Sequence, residues 1–105
     1  MYSYQMNLQA ARCPAAMSYV RSALNNAIES KFSGVVVIST IEQSMKRDLT
    51  YFVGTLDDVS IVSESDFPLS DKTRQEWLES GEAIKEDIEG IDNVYTFTVK
   101  VNSVV

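Results

Sequence analysis

The chain has 105 residues, 45 % of them hydrophobic and 23 % charged, with a net charge of −6, one cysteine and no histidine. This is the composition of a single globular domain able to bury one modest core, and it excludes an intrachain disulfide, histidine-based triads and a histidine-rich metal site. The acidity argues against direct nucleic-acid binding, which needs a cationic footprint. The N-terminus shows no basic region followed by an apolar run, and the longest uninterrupted apolar run is Val35–Ile38, far short of a membrane span. The expectation is a soluble, cytoplasmic protein with no membrane partner and no implied cofactor.

The first element is an alternating run: Tyr2, Tyr4, Met6 and Leu8 against Ser3, Gln5 and Asn7, the period of a half-buried strand. Pro14 then stands at a favoured first helical position. Met17, Val20, Leu24, Ala27 and Ile28 recur at helical spacing, which predicts a helix over 14–32 stopped near Gly34. The β-branched run Val35–Ile41 reads as a central strand. Glu42–Asp48 reads as a polar turn, Leu49–Val53 as a further strand, Asp57-Asp58 as a tight turn and Val59–Val62 as a short strand.

Ser65–Ser70, with Pro68, reads as a connector. A second helix starts at Ser70, Asp71 or Thr73, since Thr73-Arg74-Gln75-Glu76 has capping-box spacing, and runs to a stop at Gly90. Trp77, Gly81, Ile84, Ile88 and Ile91 fall in one narrow sector of the helical wheel, with close approach to the sheet as the reason for Gly81. Tyr95, Phe97, Val99 and Val101 alternate with Thr96, Thr98, Lys100 and Asn102 in a last strand. The order predicts an α+β fold, a ferredoxin-like βαββαβ or a close variant with one extra short strand, its mainly antiparallel sheet carrying two helices on one face. The polar rows Ser3/Gln5/Asn7 and Thr96/Thr98/Lys100/Asn102 mark the other face as wet or used for association.

Charge is the most local signal. Between Asp57 and Asp92 there are twelve carboxylates against three bases, a segment charge of −9; the stretch before it carries +2 and the tail +1. On a continuous helix, Glu76, Glu79, Glu82, Glu86, Asp87 and Glu89 cover the face opposite the isoleucines, and Glu79, Glu82, Glu86 and Glu89 form one row. Like charges at those spacings, some of them near the negative end of the helix dipole, weaken a helix. Successive carboxylates along the row rise by about 5 Å, a charge density near that of a phosphate backbone. An acidic solvent face that only keeps the protein soluble needs no partner. The functional reading makes those six residues the partner-binding set of a non-enzymatic inhibitor that docks on a basic protein surface. It would be a nucleic-acid mimic, as in a phage-type counter-defence protein or an antitoxin.

Other candidates carry less. Cys13 precedes a helix start and follows Arg12, surroundings that favour a thiolate, but there is no second cysteine, and Tyr19 stands where a Cys-x5-Arg phosphate loop needs arginine. A buried small side chain is the plainer account. The strand aromatics Tyr2, Tyr4, Tyr51, Phe52, Tyr95 and Phe97 follow the apolar alternation and read as core rather than as a base-stacking platform. The alternative function is a small-molecule-binding regulatory module acting as a homodimer through sheet edges or the open sheet face; a thiol enzyme built on Cys13 comes last.

Overall fold

Among the described residues four strands and four helices follow one another in an order set by where each apolar stripe finds cover. The computed structural model describes residues 2–102. The elements are β1 (Tyr2–Asn7), α1 (Ala15–Glu29), β2 (Ser33–Thr40), α2 (Met45–Gly54), β3 (Val59–Pro68), α3 (Asp71–Ser80), α4 (Lys85–Ile88) and β4 (Asn93–Asn102). The sheet order is β1-β2-β4-β3, with β1 and β2 parallel and the other two pairings antiparallel. The fold is α+β with a mixed sheet. A parallel pair needs a crossover, and α1 supplies it.

The main core lies between α1, α2 and one sheet face. Ala16, Met17, Val20 and Leu24 of α1 and Met45, Leu49 and Val53 of α2 meet Val36 and Ile38 of β2, Val59 of β3, and Phe97, Val99 and Val101 of β4. Leu24, Ile38, Met45, Leu49 and Val99 are completely buried, each contributing about 1.5–3 kcal/mol by leaving water. The alternating burial along β2 and the C-terminal half of β4 is the imprint of this one covered face. On the other face, register brings Asn7, Ser39, Thr96 and Ser65 into one cross-strand row and Gln5, Val37, Thr98 and Ser63 into the next.

Helix α1 ends earlier than Gly34 implies. Ser30 caps it, Lys31 turns left-handed at φ 59°, and the amides of Lys31 and Phe32 bond back to Ile28 and Ala27. This is a Schellman closure with lysine where glycine is usual. Gly34 is the second residue of β2.

The first correction concerns Glu42–Val53. Leu49–Val53 is helix, not strand, and the turn expected before it contributes the first helical residues. Met45, Leu49 and Val53 face the core while Tyr51 is 79 % exposed. The period of four prevailed over the β-prone residue types because α2 buries a stripe and not alternate side chains. The ferredoxin-like βαββαβ order rested on a strand there. The order found is βαβαβααβ.

The second correction concerns β3. It runs ten residues, from Val59 to Pro68, beyond the Val59–Val62 expected and into the Ser65–Ser70 connector. It is an edge strand with every residue from Ser60 on exposed or half-buried, so it carries little apolar signal. A register shift between Ile61 and Ser63 leaves Val62 54 % exposed, and this irregularity, the acids Glu64 and Asp66, and Pro68 are devices that protect an edge from pairing with other chains.

The third correction concerns the second helix, which is two helices. Ser70 caps α3 by accepting the Thr73 amide at 3.1 Å, and α3 stops at Gly81, whose φ of 81° is left-handed. Beyond its own chain neighbours, nothing lies within 4 Å of where a Cβ would sit on Gly81, so the glycine serves backbone reversal and not close packing on the sheet. Ile84 is extended and 59 % exposed; only then does the four-residue α4 begin.

Candidate functional site

Strands β3 and β4 are antiparallel neighbours, so a turn of a few residues would join them. The chain instead makes an excursion from Ser70 to Asp92, closed at its neck by the Leu69 amide bonded to the Asp92 carbonyl at 2.8 Å. Ile88, Ile91 and Ala83 pack there against Leu69 and against Ala10 and Ile41 from the loops after β1 and β2, with Trp77 and Val94 half-buried beside them. This second core lies beyond the strand ends.

Two arginines tie the excursion down. Arg12 Nη1 donates to the Asp87 carbonyl at 2.6 Å, and Arg74 donates to the carbonyls of Ile88 and Ile91. Carbonyls at the end of a short helix lack intrahelical donors and carry partial negative charge, and the guanidinium groups satisfy them. Arg12 is itself held by Glu42, Nε to Oε1 at 3.1 Å.

Glu42 is the most constrained ionisable group. It is buried, and its carboxylate also accepts the Cys13 amide at 2.9 Å and the Ser44 amide at 3.2 Å. Burial pushes its pKa up, but the two backbone N–H groups and then Arg12 outweigh that and lower it from 4.5 to about 2. So weak a base, with its lone pairs already engaged, stitches the loops after β1 and β2 together; it is not poised to take a proton at neutral pH. The half-buried Cys13 thiol accepts the Ser44 hydroxyl at 3.6 Å, while the neighbouring Arg12 is engaged elsewhere. Among the described residues no group of three or more Cys, Asp or Glu side chains is placed to hold a metal ion. No described helix is long and apolar enough to cross a membrane.

The six acids expected to bind a partner are distributed over all parts of the excursion. Glu76 and Glu79 are on α3, Glu82 follows Gly81, Glu86 and Asp87 are on α4, and Glu89 is the C-cap of α4. Five are exposed; Asp87 is half-buried. The structure therefore brings them onto one excursion but not into one helical row, since Gly81 ends the helix between Glu79 and Glu82. Among the described residues the ion pairs are Arg12–Glu42, Lys46–Glu64 and Arg47–Asp48, and none of the six takes part. Glu79 accepts the Gln75 amide at 3.0 Å. With Arg74 turned to backbone carbonyls, Lys72 and Lys85 are the remaining bases of the excursion, and neither forms an ion pair with these carboxylates among the described residues.

Sequence reasoning missed the roles of Arg12, Glu42 and Arg74. One signal was available: Glu42 is an isolated acid immediately after a β-branched strand, where a charge needs a partner to be buried. It also missed a crevice of about 330 Å³ between α3 and the ends of the strands, walled by Phe67, Leu69, Trp77 and Val94. The aromatics expected in the core divide: Phe97 is buried, Tyr95 and, on α2, Phe52 are half-buried, but Tyr4 and, on α2, Tyr51 are exposed and are not core. The side chain of Tyr2 lies outside the described residues.

No protein-family model, no curated protein and no solved structure matches this chain.

Proposed function

We propose that the protein is a non-enzymatic binding protein whose acidic excursion, Asp71–Asp92, docks on a basic surface of a protein partner and blocks it. The single observation that carries this reading is the set Glu76, Glu79, Glu82, Glu86 and Glu89: exposed, free of ion pairs among the described residues, and gathered on a segment that the sheet does not need for its connectivity. Uncompensated carboxylates of one sign steer a cationic partner and suppress acidic ones. A binding segment carried between paired strands on a rigid body is a common placement for recognition. The regular ladder that would mimic successive phosphates has no continuous helix to hold it, so the partner class rests on charge: a basic protein surface, including one that handles nucleic acid.

Capture from cell lysate with wild-type protein and with the Glu79→Gln/Glu82→Gln/Glu86→Gln variant, each at low and high salt, tests the reading. A discrete basic protein held by wild type at low salt, and lost both at high salt and on neutralisation, is the expected result. A partner retained equally by the variant refutes it.

A further inference from the structure

We infer that the crevice between α3 and the open sheet face is the socket for one neutral aromatic side chain, a tyrosine, presented by the basic partner; this rests on the docking reading above. The walls are apolar: Phe67, Leu69, Val94 and the half-buried Trp77. None of the ten lining residues is ionisable, on a chain with fifteen carboxylates. A charged side chain entering would lose hydration and gain no counter-charge inside.

The polar lining is hydroxyl and amide. Ser70 spends its hydroxyl on Thr73, donating to the Thr73 Oγ1 and accepting the Thr73 backbone N–H, and Asn7 accepts the Gln9 backbone N–H through Oδ1; the Thr73 hydroxyl keeps its donor for the crevice. The Asn7 amide nitrogen and the Ser39 hydroxyl, adjacent across the β1–β2 pairing, have no side-chain hydrogen bond among the described residues. An aromatic ring with one hydroxyl satisfies both halves of this lining. At about 330 Å³, the crevice is at the bottom of the range of roughly 300–1,000 Å³ for small-molecule pockets, and it is open at the surface, which suits an inserted side chain.

The rim supplies the flanking preference. The Gln9 amide nitrogen, oriented by its hydrogen-bond network, lies 2.9 and 3.2 Å from the two carboxylate oxygens of Glu82. Glu76, exposed, is the residue before Trp77 and one turn after Thr73. A neutral socket with Glu82 held at its mouth by Gln9, and Glu76 next in the chain to its Trp77 wall, favours a neutral aromatic between basic neighbours. Buried aromatic anchors ringed by weaker polar contacts are the usual pattern of interface hot spots.

Trp77 is the only tryptophan, so its indole N–H resonance reports on the socket directly. The probes are the acetylated tripeptide amides Lys-Tyr-Lys, Lys-Ala-Lys and Glu-Tyr-Glu, titrated into the full chain. Lys-Tyr-Lys is expected to saturate the Trp77 shift about tenfold more tightly than Lys-Ala-Lys. Ser39→Leu, which fills the crevice, should abolish that difference, and Glu76→Gln/Glu82→Gln should weaken both lysine peptides by one factor. If Ser39→Leu does not fold, Phe67→Ala, which removes a half-exposed wall, serves as the same arm. Equal binding of the tyrosine and alanine peptides overturns the socket and leaves acidic docking standing. A tyrosine preference with Glu-Tyr-Glu binding as tightly as Lys-Tyr-Lys overturns acidic docking, and with it the basic partner proposed here, while leaving an aromatic-binding crevice.

Discussion

The body of the molecule and its acidic excursion are built on different terms. The body packs α1 and α2 on one sheet face, with several side chains completely removed from water. The excursion packs Ala83, Ile88 and Ile91 against Leu69, Ala10 and Ile41, and two arginines hold its carbonyls. The first arrangement is what stability selects. The second spends exposed surface on like charges that repel one another and that the body does not neutralise. The contrast separates a scaffold from the segment it presents, and stability should follow the same division.

The largest effect belongs to the main core. Leu24→Ala, at a site with no exposure, should cost about 4 kcal/mol, measured by denaturant unfolding; a loss as small as that of a surface change would dissolve the distinction between the two regions. The next tests the join between them. Glu42 has a folded pKa of about 2 against an ordinary 4.5, so its contribution is fully present above pH 4.5 and is lost as pH falls from there toward 2. That contribution is about 3 kcal/mol. Unfolding free energy measured down that window should fall more steeply for wild type than for Glu42→Gln; parallel curves would contradict the account.

Within the smaller core, Ile88→Ala should cost about 2 kcal/mol, at the low end for buried isoleucine. Native-state hydrogen exchange should show the excursion opening before β2 and β4 do. Gly81→Ala places a side chain at φ 81° and should cost about 1 kcal/mol although the space is empty; a stabilising result would mean the helix runs on through this position. Tyr51→Ala should change stability by no more than about 0.5 kcal/mol, because its side chain points to solvent from α2; a core-sized loss would restore the strand reading of Leu49–Val53.

Legibility in the sequence followed the same line. α1 and β4 were readable because each buries one face and leaves its period in the chain, and β2 because its β-branched run is continuous; β1 was readable by alternation although Tyr4 on its apolar row is exposed. Leu49–Val53 misled because its residue types favour strands while its spacing, shared with Met45, is helical. β3 was half legible, since an edge strand with little burial writes no alternation. In the excursion the wheel placed Trp77, Gly81 and Ile84 in one sector with Ile88 and Ile91, yet a glycine between two acidic turns is as good a cap as an interior residue, and only the backbone reversal decides it. The acids were legible as a charged segment and illegible as a surface, because one residue at φ 81° redirects everything after Glu79. The crevice depends on β1, β2, β3 and α3 meeting at one end of the sheet, a juxtaposition no local pattern records.

The central claim is that Asp71–Asp92 is the face a partner meets. Hydrogen exchange along the whole chain, free and bound to the basic protein recovered by low-salt capture, reads that face directly. Added protection concentrated in α3, the Gly81–Ile84 linker and α4 is the predicted result; protection confined to α1, α2 or the β1 edge, with the excursion unchanged, would contradict it.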